Sequence, residues 1–383
     1  MERIEAYMEK RAAEGTLRKL SELKARYPAR VIESGRELID FSSNDYLGLS
    51  NDDRLIAAAR QGLDEWGTGS GASRLMSGSL APHHCLEAET ACFKGKEDAL
   101  VFNSGYQANI SLIPALVSRG DVIFADRFCH ASQIDGAVLS GAKLFRYEHN
   151  NIERLAYLLK REREKYREAL LLTESVFSMD GDIALLADIV ELKKRFNCKL
   201  LLDEAHAAGA FGRGMAHRLG LTAEVDILMG TFSKAFGSFG AYVACSHAMK
   251  EYFVNNARGF IYSTSLPATS ICASIAALKI VAEHPDMSAK LQAKAAYLRK
   301  GLSRQGWPAG GESQILPVIV KRSETALNLS QRLRAAGLRV LAVRPPTVPR
   351  GTARLRFSLC LAHSERDLDY TLEVMDGLRQ FLV

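Results

Sequence analysis

Nothing in the chain approaches the ~18 consecutive apolar residues of a membrane helix. The most apolar span, Ser270 to Ala282, is short and carries Lys279. The seven cysteines, at positions 85, 92, 129, 198, 245, 272 and 360, are odd in number and form no C-x-x-C pair. That spacing argues against a disulfide framework or a zinc site and fits a reducing cytoplasm. No internal repeat, low-complexity linker or G-x-x-x-x-G-K-[ST] phosphate loop occurs. Charge of one sign is not gathered anywhere. Lys plus Arg number 50 and Asp plus Glu 44, so the net charge is a mild +6. Nothing there demands nucleic acid, although a few cations remain for an anionic small molecule. The opening MERIEAYMEKR is charged from its second residue and lacks the apolar stretch of a signal peptide.

What is present is an ordinary globular balance, 47% apolar and 25% charged, which excludes wholesale disorder. A chain of 383 residues implies two domains, or one large α/β domain with a smaller companion. Residues 1–26 read as a charged helix broken at Tyr27-Pro28. From about 45 to 280, uninterrupted apolar runs alternate with helical stretches. The runs are Ala99–Asn103, Val122–Asp126, Ala169–Glu174, Leu200–Asp203, Ile227–Thr231 and Ala241–Cys245. Buried strands separated by helices predict a mostly parallel sheet covered on both faces. After Pro285 the rhythm changes: helix 287–304, strand Ile315–Val320, helix 325–336 stopping at Gly337, strands Arg339–Val343 and Arg354–Cys360, and a last helix from about 365. The expected division is an N-terminal helical segment, 1–44, packing with the small domain; a large α/β domain, 45–285; and a small α+β domain, 286–383.

The polar residues that interrupt these patterns fall at strand ends, where ligands of open α/β sheets bind. Asp203-Glu-Ala-His206 closes the apolar Leu200-Leu-Leu run. A helicase reading of these four letters fails for want of a phosphate loop; a merely acidic strand end is the plain structural alternative. Lys234, in Thr231-Phe-Ser-Lys234-Ala-Phe-Gly237, follows the next strand. A lysine there is commonly a solvated loop residue, but near a cationic ring its amine loses basicity and can form a Schiff base. Gly105 and Tyr106 open a helix after Asn103-Ser104, and free N–H groups at a helix start bind phosphate; a simple cap by Asn103 or Ser104 is the alternative. His130 follows the Val122–Asp126 run, and no metal-ligand spacing accompanies it. The glycine-rich Gly67–Arg74 follows a helical stretch, not a strand, so a glycine-rich substrate loop suits it better than a dinucleotide fingerprint. A lysine, an acid partner, an aromatic-sized histidine and a phosphate cradle together are what pyridoxal phosphate (PLP) requires.

These segments, with FSSNDYLGLS at 41–50, GSGASRLMSG at 69–78, DRFCHAS at 126–132, TESVFSMDGD at 173–182, LLDEAHAAGAFG at 201–212, TFSKAFG at 231–237, IYSTSLP at 261–267 and RPPTVPRGTARLRFSL at 344–359, make the whole chain similar to the α-oxoamine synthases. That group lies within the fold-type I, aspartate aminotransferase-like PLP enzymes. One departure is Ser233, where relatives usually carry glycine. The last two stretches resemble the branch that condenses L-alanine with a pimeloyl thioester, on CoA or on an acyl carrier protein, with loss of CO2. The resemblance implies PLP on Lys234, Asp203 at the pyridinium nitrogen, and His206 and Ser178 on the ring-hydroxyl side. His130 would stack on the ring. Gly105, Tyr106 and Thr231 would meet the phosphate, and Thr264 the phosphate of a neighbouring subunit in a homodimer. Arg356 would bind the alanine carboxylate, and Arg18, Asn44 and Thr347 other parts of the substrates. Alternatives in view are a sister synthase, such as a 2-amino-3-ketobutyrate CoA ligase joining glycine to acetyl-CoA, a PLP aminotransferase, and a scaffold without catalysis. Retention of Lys234, Asp203, His206 and Arg356 argues against the last.

Overall fold

The computed structural model describes residues 1–18 and 20–382. They form two compact units. One comprises 49–177 and 183–288; the other comprises 1–48, 178–182 and 289–383. The boundaries thus lie three or four residues past the expected 44/45 and 285/286. Residues 178–182, expected in the large domain, belong to the smaller unit.

The larger unit is built on a seven-stranded sheet in the order Asp98–Phe102, Ala241–Cys245, Ile227–Thr231, Lys199–Asp203, Ala169–Glu174, Val122–Asp126, Lys143–Tyr147. Ala241–Cys245 runs antiparallel to both neighbours, while the five strands from Ile227–Thr231 to Lys143–Tyr147 are parallel. The apolar runs are continuous because helices cover both faces. On one face Leu100, Ile123, Leu172, Leu201, Met229 and Val243 are almost wholly buried with Leu112 and Ile113 of helix Gly105–Leu116. The edge strand Lys143–Tyr147 escaped the sequence reading. Of its five residues only Tyr147 is buried, and Lys143 and Arg146 are exposed, the polar dress of an edge.

The smaller unit holds two sheets. Residues 1–26 do not form one helix. The helix spans Glu2–Ala13 and gives way at Gly15, whose φ of +62° no helix continues. Leu23–Tyr27 is a strand paired with Arg30–Glu33, so Pro28 and Ala29 make a hairpin turn. Arg36–Asp40 and Leu338–Arg339 complete that sheet. The expected strand Arg339–Val343 is split. Leu338–Arg339 pairs in parallel with Arg36–Asp40, and Leu341–Val343 pairs antiparallel with Ala353–Ser358 in a second sheet. One segment thereby joins both sheets, a change of partner that an alternating pattern cannot reveal.

Candidate active site

Seven of the sequence-selected residues converge on one cavity of about 220 Å³ in the larger unit: Gly105, Tyr106, His130, Asp203, His206, Thr231 and Lys234. Each sits at, or just beyond, the C-terminal end of a sheet strand, the edge where parallel α/β sheets bind ligands. Ser104 is the helix cap, accepting from the Gln107 N–H at 3.1 Å. Gly105 is needed for proximity: a Cβ there would stand 2.8 Å from Thr231 Cγ2. The Tyr106 side chain is half exposed and donates its hydroxyl to Asp135, which leaves its backbone N–H as the group at the helix start.

Asp203 is buried, and its two oxygens are held separately. The Ala205 N–H donates to Oδ1 at 2.9 Å and the Asn109 amide to Oδ2 at 3.1 Å. Each carboxylate oxygen retains a lone pair. His130 begins helix Ala131–Ser140, and its Nδ1 accepts the Ser132 N–H at 3.2 Å. That contact fixes the proton on Nε2. The ring is solvent-accessible on one side, yet the protein around it desolvates the charged form. Lys234 opposes that form further, while Asp203 favours it, and the net pKa lies below the ordinary value. The imidazole is therefore neutral at pH 7, suited to lie against a ring.

Sequence reasoning missed Asn109, Ser132 and Glu174, which also line the cavity. Asn109 lies four residues after Gly105 on one helix face, a spacing that was available as a signal; Ser132 comes in because His130 caps the helix and accepts its N–H. Glu174 is paired in register with Asp203 on the adjacent strand. Burial first, and the Asp203 charge second, push its carboxyl well above the usual range.

A phosphate-bearing ring fits this donor set. Thr231 Oγ1 is buried without a hydrogen-bond partner, beside the helix start at which Gly105 leaves room. An orphaned hydroxyl of this kind costs roughly 1–3 kcal/mol unless a ligand satisfies it.

Thr264 is exposed and does not line the cavity. Its carbonyl accepts from Asn103 Nδ2 at 2.8 Å, and it bridges Ser73. The glycine-rich 67–74 segment does not line the cavity either. Arg74 forks onto Glu87 at 2.7 and 3.2 Å, and the Ala72 carbonyl accepts from Ser265.

The remaining candidates lie in the smaller unit. Arg356, only 5% exposed, donates from Nε to the Ser178 carbonyl at 2.7 Å, from Nη1 to Ser358 Oγ at 2.6 Å, and from both terminal nitrogens to Asn44 Oδ1 at 3.3 Å. All these acceptors are neutral. Arg354, by contrast, is ion-paired with Asp180. A buried guanidinium lacking a carboxylate is a receptor for one. Ser178 contributes its carbonyl here and is not a residue of the 220 Å³ cavity. Arg18 and Thr347, both exposed, meet at 2.7 Å.

Residues 36–375 match the family model of class I and II aminotransferases. The 8-amino-7-oxononanoate synthase of Pelobacter propionicus is 45% identical over 376 residues, 97% of this chain and 96% of that one. A solved structure of SPT with PLP superposes with a TM-score of 0.93 at 30% identity, over 99% and 97% of the two chains. The 8-amino-7-oxononanoate synthase structure from Francisella tularensis gives 0.76 at 30% identity, over 90% and 98%. Shape similarity reports the common fold; the family is shown by the 45% identity to the Pelobacter protein over nearly the whole of both chains.

Proposed function

We propose, for a chain that belongs to the 8-amino-7-oxononanoate synthases within the class I and II aminotransferase family, that it condenses L-alanine with a pimeloyl thioester, losing CO2, in biotin biosynthesis. The observation that carries this reading is the meeting of Lys234, Asp203, His130 and the orphaned Thr231 hydroxyl in one cavity. PLP is the cofactor, and when bound it supplies a sink for negative charge on the amino-acid Cα.

In this reading Lys234 carries the cofactor. Thr231 and the N–H groups of Gly105 and Tyr106 hold its phosphate, Asp203 accepts the ring N–H, and His206 and Ser178 address the ring hydroxyl. Neutral His130 covers a ring face. The Asp203 carboxylate, steadied by Ala205 and Asn109, keeps the ring nitrogen protonated. Arg356 binds the alanine carboxylate as a fork, its plane set by Ser178, Ser358 and Asn44. Lys234 then accepts the alanine Cα proton. The new C–C bond forms to the thioester carbonyl, the C–S bond breaks and the thiol carrier leaves. The alanine carboxylate departs as CO2, and a proton returns to Cα. Arg18 and Thr347 are assigned to the acyl partner. Thr264, exposed and outside its own chain's cavity, is assigned to the phosphate site of the partner in a homodimer.

The test supplies alanine with pimeloyl-CoA and seeks the amino-ketone by mass spectrometry. Parallel arms supply glycine with acetyl-CoA, and alanine with a keto acid. Product in either parallel arm, and none in the first, replaces this reading with a sister synthase or an aminotransferase.

A further inference from the structure

Gln107 stands in the first turn of helix Gly105–Leu116, and its side-chain amide is used in full. Oε1 accepts the Asn103 N–H at 2.9 Å, and Nε2 donates to the Gly259 carbonyl at 2.7 Å and to Ser263 Oγ at 2.8 Å. An amide offers two donors and one acceptor oxygen. One side chain therefore ties the helix start to the segment that leads into Thr264. Beside it, Asn103 Nδ2 donates to the Thr264 carbonyl at 2.8 Å. Neither Asn103 nor Gln107 lines the 220 Å³ cavity.

The junction is closely packed. At Gly259 a Cβ would run into Ser111 Oγ and stand 3.1 Å from Gln107 Cγ. Asn103, Gln107, Gly259, Ser263 and Thr264 share a cavity of only about 10 Å³, room for one water at most. Solvent therefore has little space in which to replace a lost amide. On the far side, Thr264 bridges Ser73 and the Ser265 N–H donates to the Ala72 carbonyl. The Thr264 backbone is held from two sides, while the residue itself remains exposed. A group fixed at its root and open to its surroundings suits a site completed by a second chain.

We propose that Gln107 and Asn103 are positioning residues that act across the dimer: they set the place of Thr264, and through it the hold on the phosphate in the partner's site rather than in their own. The proposal rests on the assignment of Thr264 to a partner's phosphate.

Gln107→Met keeps the length and loses all three bonds; Asn103→Ala removes the bond to the Thr264 carbonyl. Each is read in mixed dimers, isolated with two affinity tags, in which only one chain carries Lys234. The absorbance of lysine-bound PLP then reports one site. In the trans arrangement the variant shares a chain with Lys234→Ala, so the reporting site depends on the altered chain's Thr264. After dilution into PLP-free buffer, Gln107→Met in trans should release cofactor about tenfold faster, the effect of roughly one lost hydrogen bond to a charged group. In the cis arrangement the variant sits on the chain that retains Lys234, and release should match the control. A local packing defect acts on its own chain, so equal or cis-dominant acceleration overturns the proposal. Asn103→Ala should show the same trans preference, and decides the matter if Gln107→Met does not assemble. Thr264→Val in trans separates this proposal from the reading beneath it. If Thr264→Val speeds release and neither other variant does, Thr264 serves the partner unaided and only the positioning role falls. If Thr264→Val is silent as well, the shared site and the positioning role fall together.

Discussion

At the scale of single residues, the site is recognisable by what each group lacks. Arg356 is a buried cation among neutral oxygens, and Thr231 a buried hydroxyl without a partner. Arg356→Lys keeps the charge and loses the fork. Its KM for alanine should rise about tenfold or more while cofactor absorbance persists; an unchanged KM in steady-state assays would move the carboxylate site elsewhere. A second residue governs acid stability. His363 is fully buried, stacked on Phe41 with ring centres 4.2 Å apart, and its Nδ1 accepts the Cys360 N–H. Burial pushes its pKa down to about 3. Above about pH 6.5 the ring is neutral in both folded and unfolded chains. As pH falls below that value the unfolded chain gains a proton that the folded chain refuses, so stability is lost. From pH 7 to 5 the loss should reach about 2 kcal/mol. Denaturant unfolding at the two pH values should show this difference shrinking in His363→Phe, which preserves the stacking. An undiminished pH dependence would clear His363 of the role.

At the scale of elements, the strand ends are held in register by contacts behind the site. Helix Ala81–Lys94 ends on Lys94, whose ammonium is buried against Glu204 at 2.5 Å and also donates to the Arg213 carbonyl. Glu204 in turn accepts the Ala216 N–H at 2.9 Å. The pair thus ties the loop carrying His206 to the helix. Lys94→Met leaves a buried carboxylate alone and should destabilise the larger unit by about 3 kcal/mol. Lys94→Met with Glu204→Gln should recover part of that loss, a non-additivity visible in denaturant midpoints. Additive losses would show that the two groups do not act as a pair. Element type was readable because continuous apolar runs belong to buried strands; four of the expected runs, Val122–Asp126, Ala169–Glu174, Ile227–Thr231 and Ala241–Cys245, coincide with the observed strands. Leu23–Tyr27, Arg30–Glu33 and Arg36–Asp40 were not readable. They are short, charged and partly exposed, and become strands only by pairing with one another.

At the scale of the whole molecule, the assignment of Thr264 to a partner's site makes activity a property of two chains. Lys234→Ala and Thr264→Glu should each inactivate a homodimer. Remixed in equal amounts, they form mixed dimers in which both lesions fall in one site and the other is intact. About a quarter of the sites should then be active, since half the dimers are mixed. If mixed dimers form, as native mass spectrometry can show, and no activity returns, Thr264 serves its own chain and the shared site is refuted.

The class of fold and most of the 220 Å³ cavity were legible in the amino-acid sequence. Strand-end positions are local facts: a polar residue closing an apolar run lies at the sheet edge wherever the sheet goes, so Asp203, Lys234 and His130 were legible. Side-chain company is not local. That Asn109 braces Asp203, that burial beside Asp203 raises the pKa of Glu174, and that Arg356 rather than Arg354 lacks a carboxylate follow from chain segments 94, 29 and 174 residues apart in sequence brought together. Partner choice along 338–343, where one segment serves two sheets, is of the same kind. Hydrogen-bond satisfaction and desolvation depend on everything packed around a group. They are therefore set when distant segments pack together, not by local sequence.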